Sequence, residues 1–131
     1  MDSKKLLIRL ILIIFLIFLL SYLAMEFYWY SSIWYLDMPM HFLGGFWLGL
    51  IVIYLFFLKD DVFKSIFKIL FFVSSIGIGW EIFEIVVNNY VTQNYFNYLD
   101  TISDIFFDLS GGLFAILYFL KNIVSVKENT Q

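Results

Sequence analysis

Four long apolar stretches, divided by short segments where aromatic and charged residues collect, set the plan of this chain. The run from Leu10 to Met25 carries no charge. Counted from Leu6, with the Arg9 guanidinium reaching back to the interface, it is long enough to span a bilayer as a helix. The same pattern predicts spans at about 6–25, 40–58, 67–87 and 103–120. Loops are predicted at 26–37 and 88–101, and a mobile tail at 122–131. Phe27, Tyr28, Trp29, Tyr30, Trp34 and Tyr35 crowd the first of these loops, as expected of a loop or short helix at headgroup level. Pro39, the only proline, falls in the first turn of the second span, where its missing N–H does no harm.

Composition supports the bilayer as solvent. Hydrophobic residues make up 63% of the 131-residue chain, against roughly 45–50% in an ordinary soluble domain. A globule of this size could not hide so much apolar surface. The expected fold is therefore all-α: a polytopic integral membrane protein with four transmembrane helices, forming a single membrane domain over 1–131. A cleaved signal peptide is the rival reading of the N-terminus, but the run is long and no small-x-small cleavage pattern stands out near Ser21 to Met25. A retained helix is expected. The absence of cysteine removes disulfides, thiolate metal sites and a lipidated cysteine anchor. The basic residues are scattered in short clusters, so no nucleic-acid partner is expected.

Charge placement adds a direction. With four spans, all eight Lys and Arg residues fall on one side, which the positive-inside rule makes cytoplasmic. Both termini are then cytoplasmic, and the localisation expected is the cell membrane, multi-pass.

Against this oily background the acids stand out. Asp100, Asp104 and Asp108 recur every four residues, drifting about 40° per step on a helix, so they form one stripe. Asp37 and His41 lie at the outer end of the second span, and Glu81 and Glu84 toward the outer end of the third. Glu84 is roughly 5 Å and Glu81 roughly 10 Å inside a helix ending near Val87. Three helices thus bring ionisable groups to one level, facing the outer leaflet. Each also carries small residues on the same face: Gly45 and Gly49 with His41, Ser74 and Gly77 with Glu81, and Gly111 or Gly112 and Ala115 with Asp108. Small residues so spaced let helices approach closely in lipid. The first span has no such strip and is expected to be a lipid-facing support.

No basic residue lies near these acids in sequence or topology. Several carboxylates and one histidine cannot all ionise at close range; protons or cations must balance them. The donor set suits a divalent ion, Mg²⁺, Mn²⁺ or Zn²⁺. His41, Glu81, Asp104 and Asp108 are the expected ligands, with Glu84 or Asp37 as a base orienting water. Plainer roles exist for each piece. Asp37 and Asp100 would serve as N-caps, His41 would make a local hydrogen bond, Gly44, Gly45, Gly111 and Gly112 would pack, and Trp80 would anchor at the interface.

Three segments together carry a resemblance: Asp37 through Pro39, His41 and Phe42 to Gly44 and Gly45; Trp80, Glu81 and Glu84; and Asp100, Thr101, Asp104 and Asp108 to Gly111. In order and position they are similar to small bacterial VanZ-like and YjdF-like membrane proteins, over about Asp37 to Ala115. Asp108 stands where VanZ-like proteins have asparagine, and the Asp-Thr-x-x-Asp run leans toward the YjdF-like branch. The resemblance implies a polytopic membrane protein without a settled activity. Its VanZ-like branch is associated with glycopeptide-antibiotic resistance, which points to the cell envelope.

The function expected is a divalent-cation site at the outer leaflet that acts on, or holds, a membrane lipid or lipid-linked envelope precursor. Its enzymatic version would be a metal-assisted hydrolase or transferase. An ion- or proton-coupled small transporter is the alternative, since buried carboxylates also build relays and a homodimer would enlarge the pathway. A structural or partner-binding membrane protein is the third class.

Overall fold

In hydrocarbon every backbone polar group must pair internally, which confines spans of this hydropathy to helices or closed barrels. The computed structural model describes residues 3–33, 35–56, 62–92 and 97–129, and all its regular elements there are helical. Helix α1 is Ser3–Glu26, α2 the short Trp29–Ser32, α3 Asp37–Phe56, α4 Val62–Val87 and α5 Tyr98–Asn129. A π-helical turn, Asn88–Thr92, prolongs α4. Four segments are long and apolar enough to cross a membrane: Lys4–Glu26, Asp37–Phe56, Phe63–Val91 and Tyr98–Lys121.

The helices outrun the apolar stretches that predict them. α4 begins at Val62, five residues before the expected start of the span, so Lys64 sits on a helical turn rather than in the connection and Lys68 lies one turn further in. α5 begins at Tyr98 and continues to Asn129, so helix replaces most of the segment expected as a mobile tail. Once the apolar run ends, a polar continuation can keep its intrahelical hydrogen bonds in water. Trp34, residues 57–61 of the second connection, and 93–96 of the third lie outside the described residues. The chain turns after α1 at Tyr28, whose φ of 56° is left-handed.

α3 is the central helix. It packs most extensively on α5 and also contacts α1 and α4, while α4 packs on α5. The buried core is apolar: Leu50 and Ile53 from α3, Ile69 and Val73 from α4, and Ala115, Ile116 and Phe119 from α5. Outward, Phe15, Phe18, Phe63, Phe67 and Phe71 are 66–72% exposed, as suits side chains solvated by lipid. α1 is held at its N-terminal half. Leu6 and Leu10 are buried, Trp47 Nε1 donates to the Leu10 carbonyl at 3.0 Å, and Arg9 donates to the Tyr118 hydroxyl.

Where α3 meets α5, backbones touch. A Cβ on Gly45 would lie 2.7 Å from the Asp108 carbonyl carbon, and one on Gly111 would run into the backbone of Phe42 and Phe46. One step along, Gly49 faces Ala115, and Gly112 faces Val73 of α4. These small residues, four apart on each helix, replace the hydrophobic drive that lipid cannot supply between helices. Gly45→Ala and Gly111→Ala should each destabilise the protein by about 1–3 kcal/mol, the usual cost of overpacking. Gly79→Ala, where an added Cβ meets nothing within 4 Å, should be neutral or stabilising. Thermal unfolding of the three variants in one detergent measures the difference.

Candidate functional site

The glycine crossing decides where the acids end up. Because α3 and α5 nearly touch at Gly45 and Gly111, His41, one turn before Gly45, comes against Asp108 and Asp104. His41 Nδ1 lies 3.0 Å from Asp108 Oδ1. Its Nε2 lies 3.5 Å from Asp104 Oδ2 and 3.6 Å from Asp37 Oδ2, one helical turn away on α3. Gly77 of α4 makes room for the same aspartate, since a Cβ there would sit 2.8 Å from Asp108 Oδ2.

α4 adds Glu81 and Glu84 from the other side. Ligand atoms of Glu81, Glu84 and Asp104 lie within 4.8 Å of one another, as do those of Asp37, His41 and Asp104. Asp104 belongs to both groups. Either group could hold a metal ion. Glu81 and Asp104 are 3% and 1% exposed, and Glu81 Oε1 and Asp104 Oδ2 make no hydrogen bond. Asp37 is the member at the mouth, its side chain 41% exposed. The cluster therefore runs from a wet rim to a dry floor.

All six residues singled out in the sequence, Asp37, His41, Glu81, Glu84, Asp104 and Asp108, are brought to this one spot. Their arrangement differs from the expected division of labour. Asp108 stands behind the imidazole, at Nδ1, rather than among the groups of convergent ligand atoms; Asp37 and Glu84 stand within those groups. Asp100 is not the cap of α5: its backbone N–H donates to Asn97 Oδ1 at 3.3 Å, so Asn97 takes that role. Ser74 faces inward but its hydroxyl bonds the Leu70 carbonyl of its own helix.

Three contributors escape the sequence reading. Trp80 Nε1 donates to Glu84 Oε1 at 2.8 Å, so the indole orients a carboxylate instead of only anchoring at the interface. Their i,i+4 spacing is the signal that could have revealed it. The Thr101 side chain hydrogen-bonds to Glu81. Gly44, grouped with the packing glycines, has nothing within 4 Å of an added Cβ. It lines a groove of about 590 Å³ that starts at Asp37, His41 and Asp108 and runs between α1 and α4.

Among the described residues, Lys4, Lys5, Arg9, Lys64, Lys68 and Lys121 belong to the opposite end of the bundle, at the starts of α1 and α4 and in the second half of α5. The cluster thus has one imidazole against five carboxylates, and balance requires protons or a bound cation.

Fold and site together define a multi-pass membrane protein with a carboxylate–histidine cluster set into one end of a four-span bundle. The chain matches the family model described as "Predicted membrane protein (DUF2238)" over residues 5–123, and it belongs to that family. Comparison with curated proteins and with solved structures returned no match.

A site kept for a ligand and a network that only holds helices together should respond oppositely to loss of charge at the two oxygens without hydrogen bonds. Asp104→Asn and Glu81→Gln, each removing one crowded negative charge, should raise stability in chelator by about 1 kcal/mol. Asp108→Ala, which leaves His41 Nδ1 without this partner, should lower it by about 1–3 kcal/mol. Equilibrium unfolding in detergent with EDTA is the measurement.

Proposed function

We propose that this protein holds a divalent cation in the carboxylate–histidine cluster and acts on, or binds, a membrane lipid or lipid-linked envelope precursor there. One observation carries the reading. Asp104, almost fully buried, offers an oxygen without a hydrogen bond at the junction of two groups of ligand atoms, beside Glu81 Oε1, which has none either. A buried carboxylate oxygen that accepts no hydrogen bond is expensive within a bilayer. A cation would satisfy both oxygens at once.

The donor chemistry fits. With a proton on Nδ1 given to Asp108, neutral His41 presents the Nε2 lone pair toward Asp37 and Asp104. This is the carboxylate–histidine arrangement that fixes the tautomer of a metal-binding imidazole. His41, Glu81 and Asp104 are then the ligands, with Asp37 and Glu84 completing the two groups, and Asp108 is a positioning residue. Carboxylate oxygens with one imidazole suit Mg²⁺, Mn²⁺ or Zn²⁺. The cation would supply Lewis-acid polarisation of a phosphoryl or acyl oxygen and lower the pKa of water at the site. Asp37, half in and half out, is placed to pass a proton between the cluster and the surface. The indole of Trp80 keeps Glu84 turned into the site.

In the enzymatic version the protein is a metal-assisted hydrolase or transferase. The distribution of Lys and Arg supports placing the site at the outer leaflet, with the basic end cytoplasmic. The similarity of the Asp37–His41, Glu81–Glu84 and Asp100–Asp108 segments to VanZ-like and YjdF-like proteins favours an envelope substrate.

The test is Mn²⁺ binding to the full chain in detergent, followed by calorimetry or by the ion's paramagnetic signal. The native protein should bind Mn²⁺. Asp104→Asn should weaken binding by more than about 100-fold, and Asp108→Asn by about 10- to 100-fold, as expected for a group acting through its histidine. Native protein that binds neither Mn²⁺, Zn²⁺ nor Mg²⁺ would overturn the proposal.

A further inference from the structure

The groove beside the cluster has a shape that names its occupant. α1 and α4 both pack on α3 but make little contact with one another. Since α1 is pinned to α3 and α5 through Leu10 and Arg9, the gap lies along its second half. There Ile17 and Ser21 of α1 face Ile76 and Trp80 of α4 across Gly44 and Leu48 of α3. The walls are mostly apolar, and the polar groups sit at one end. From Asp37 to Leu48 the groove follows α3 for roughly 16 Å, about half of a ~30 Å hydrocarbon core. It reaches from the level of the cluster to the middle of the membrane, the depth of one leaflet.

Its polarity selects a lipid: a polar end and an apolar length one leaflet deep match a headgroup and its hydrocarbon chain. A helix from a second copy seated there would instead shield the groove and abolish its labelling in native protein, which would overturn the inference. A polyprenyl chain long enough to cross the whole bilayer overruns a groove that stops at mid-membrane.

We infer that the groove between α1 and α4 seats one acyl chain of a phospholipid from the adjoining leaflet, with the phosphate at the carboxylate–histidine cluster. The headgroup half of this inference rests on the proposed cation, because a phosphate meets five carboxylates there and only a bridging cation makes the charges complementary. The acyl-chain half stands on the groove alone. Gly44 is the control point. A Cβ added there meets nothing within 4 Å, and Gly44 lines the groove, so a larger side chain starts from open space and fills the chain's seat.

The experiment uses the full chain in nanodiscs of phosphatidylcholine containing a small fraction of phosphatidic acid with a photoactivatable diazirine on its acyl chain. Labelled peptides are mapped by mass spectrometry. Native protein should be labelled in the groove segments around Ile17, Leu48 and Ile76, saturably and in competition with unlabelled phosphatidic acid. Gly44→Leu should reduce groove labelling by about tenfold, the loss expected when two methylenes no longer reach their seat. Gly79→Leu, at a glycine where an added Cβ also meets nothing within 4 Å but which is outside the groove lining, should leave it unchanged.

Equal labelling of native protein and Gly44→Leu overturns the inference, and so does groove labelling no more saturable than that at the lipid-facing Phe15 and Phe18. Displacement by undecaprenyl phosphate in preference to phosphatidic acid overturns the acyl assignment. Mn²⁺ binding, measured on the same variants, separates this inference from the reading it rests on. Normal Mn²⁺ binding by Gly44→Leu with groove labelling unchanged from native means the groove inference fails alone. Saturable, Gly44-dependent labelling in a native protein that binds no divalent ion means the acyl seat stands and the cation reading fails.

Discussion

The backbone contact between α3 and α5 is the constraint on which the rest depends. Between helices in lipid there is no hydrophobic drive, because the tails are as apolar as the side chains. Association must come from close packing and from polar groups that find each other. Gly45 and Gly111 bring the two backbones to touching distance, and His41 reaches Asp108 only because of that approach. A residue with a Cβ at either position would hold the helices apart and widen the distances from His41 to Asp104 and Asp108. Packing and chemistry are therefore one feature, set by glycines a turn away from the groups they serve.

The cost of that arrangement is large. An aspartate at the centre of a membrane helix costs about 2.5–3.5 kcal/mol on insertion scales, and three helices here contribute five carboxylates between them. Among the described residues His41 is the sole basic group facing them, and a single imidazolium offsets one negative charge. Helix–helix cohesion alone would be better served by serines, threonines or asparagines, which pair without a surplus charge. The chain instead keeps Asp104 and Glu81 buried with oxygens unbonded. The proposed cation would remove that penalty, which a purely structural cluster has no reason to carry.

Much of this was legible in the sequence because apolar helices are labelled only by their exceptions. A helix oily all round has no periodicity to tell which side packs, so the polar and small residues carry the information. On α3, α4 and α5 those residues fall on single faces, and the Asp100, Asp104, Asp108 spacing and the glycine strips pointed to the faces that are buried. α1 bears no such label, and its contacts through Leu6, Leu10 and Arg9 could not be read from pattern. Gly44 and Gly45 show the limit more sharply. Adjacent in sequence, they point about 100° apart on the helix, one into α5 and the other into the groove. Nothing local separates them. The extension of α5 beyond Leu120 was hidden for a similar reason, since hydropathy marks where a membrane ends and not where a helix does.

The position of the cluster also bears on transport, the alternative that buried carboxylates always raise. An ion crossing the bundle would have to leave the acids and pass the other half of the bilayer. Below the cluster the buried side chains are Leu50, Val52, Ile53, Ile69, Val73, Ala115, Ile116 and Phe119, with Ser65 the one buried polar residue among those described. A single hydroxyl does not make a relay across roughly 15 Å of hydrocarbon. The groove that joins the cluster is lined by residues of α1, α3 and α4, most of them apolar. With the proposed cation bound, such a site would exchange ligands with one leaflet and with water at its exposed rim. The apolar packing beneath the cluster therefore agrees with the proposed binding of a membrane-resident molecule better than with passage through the membrane.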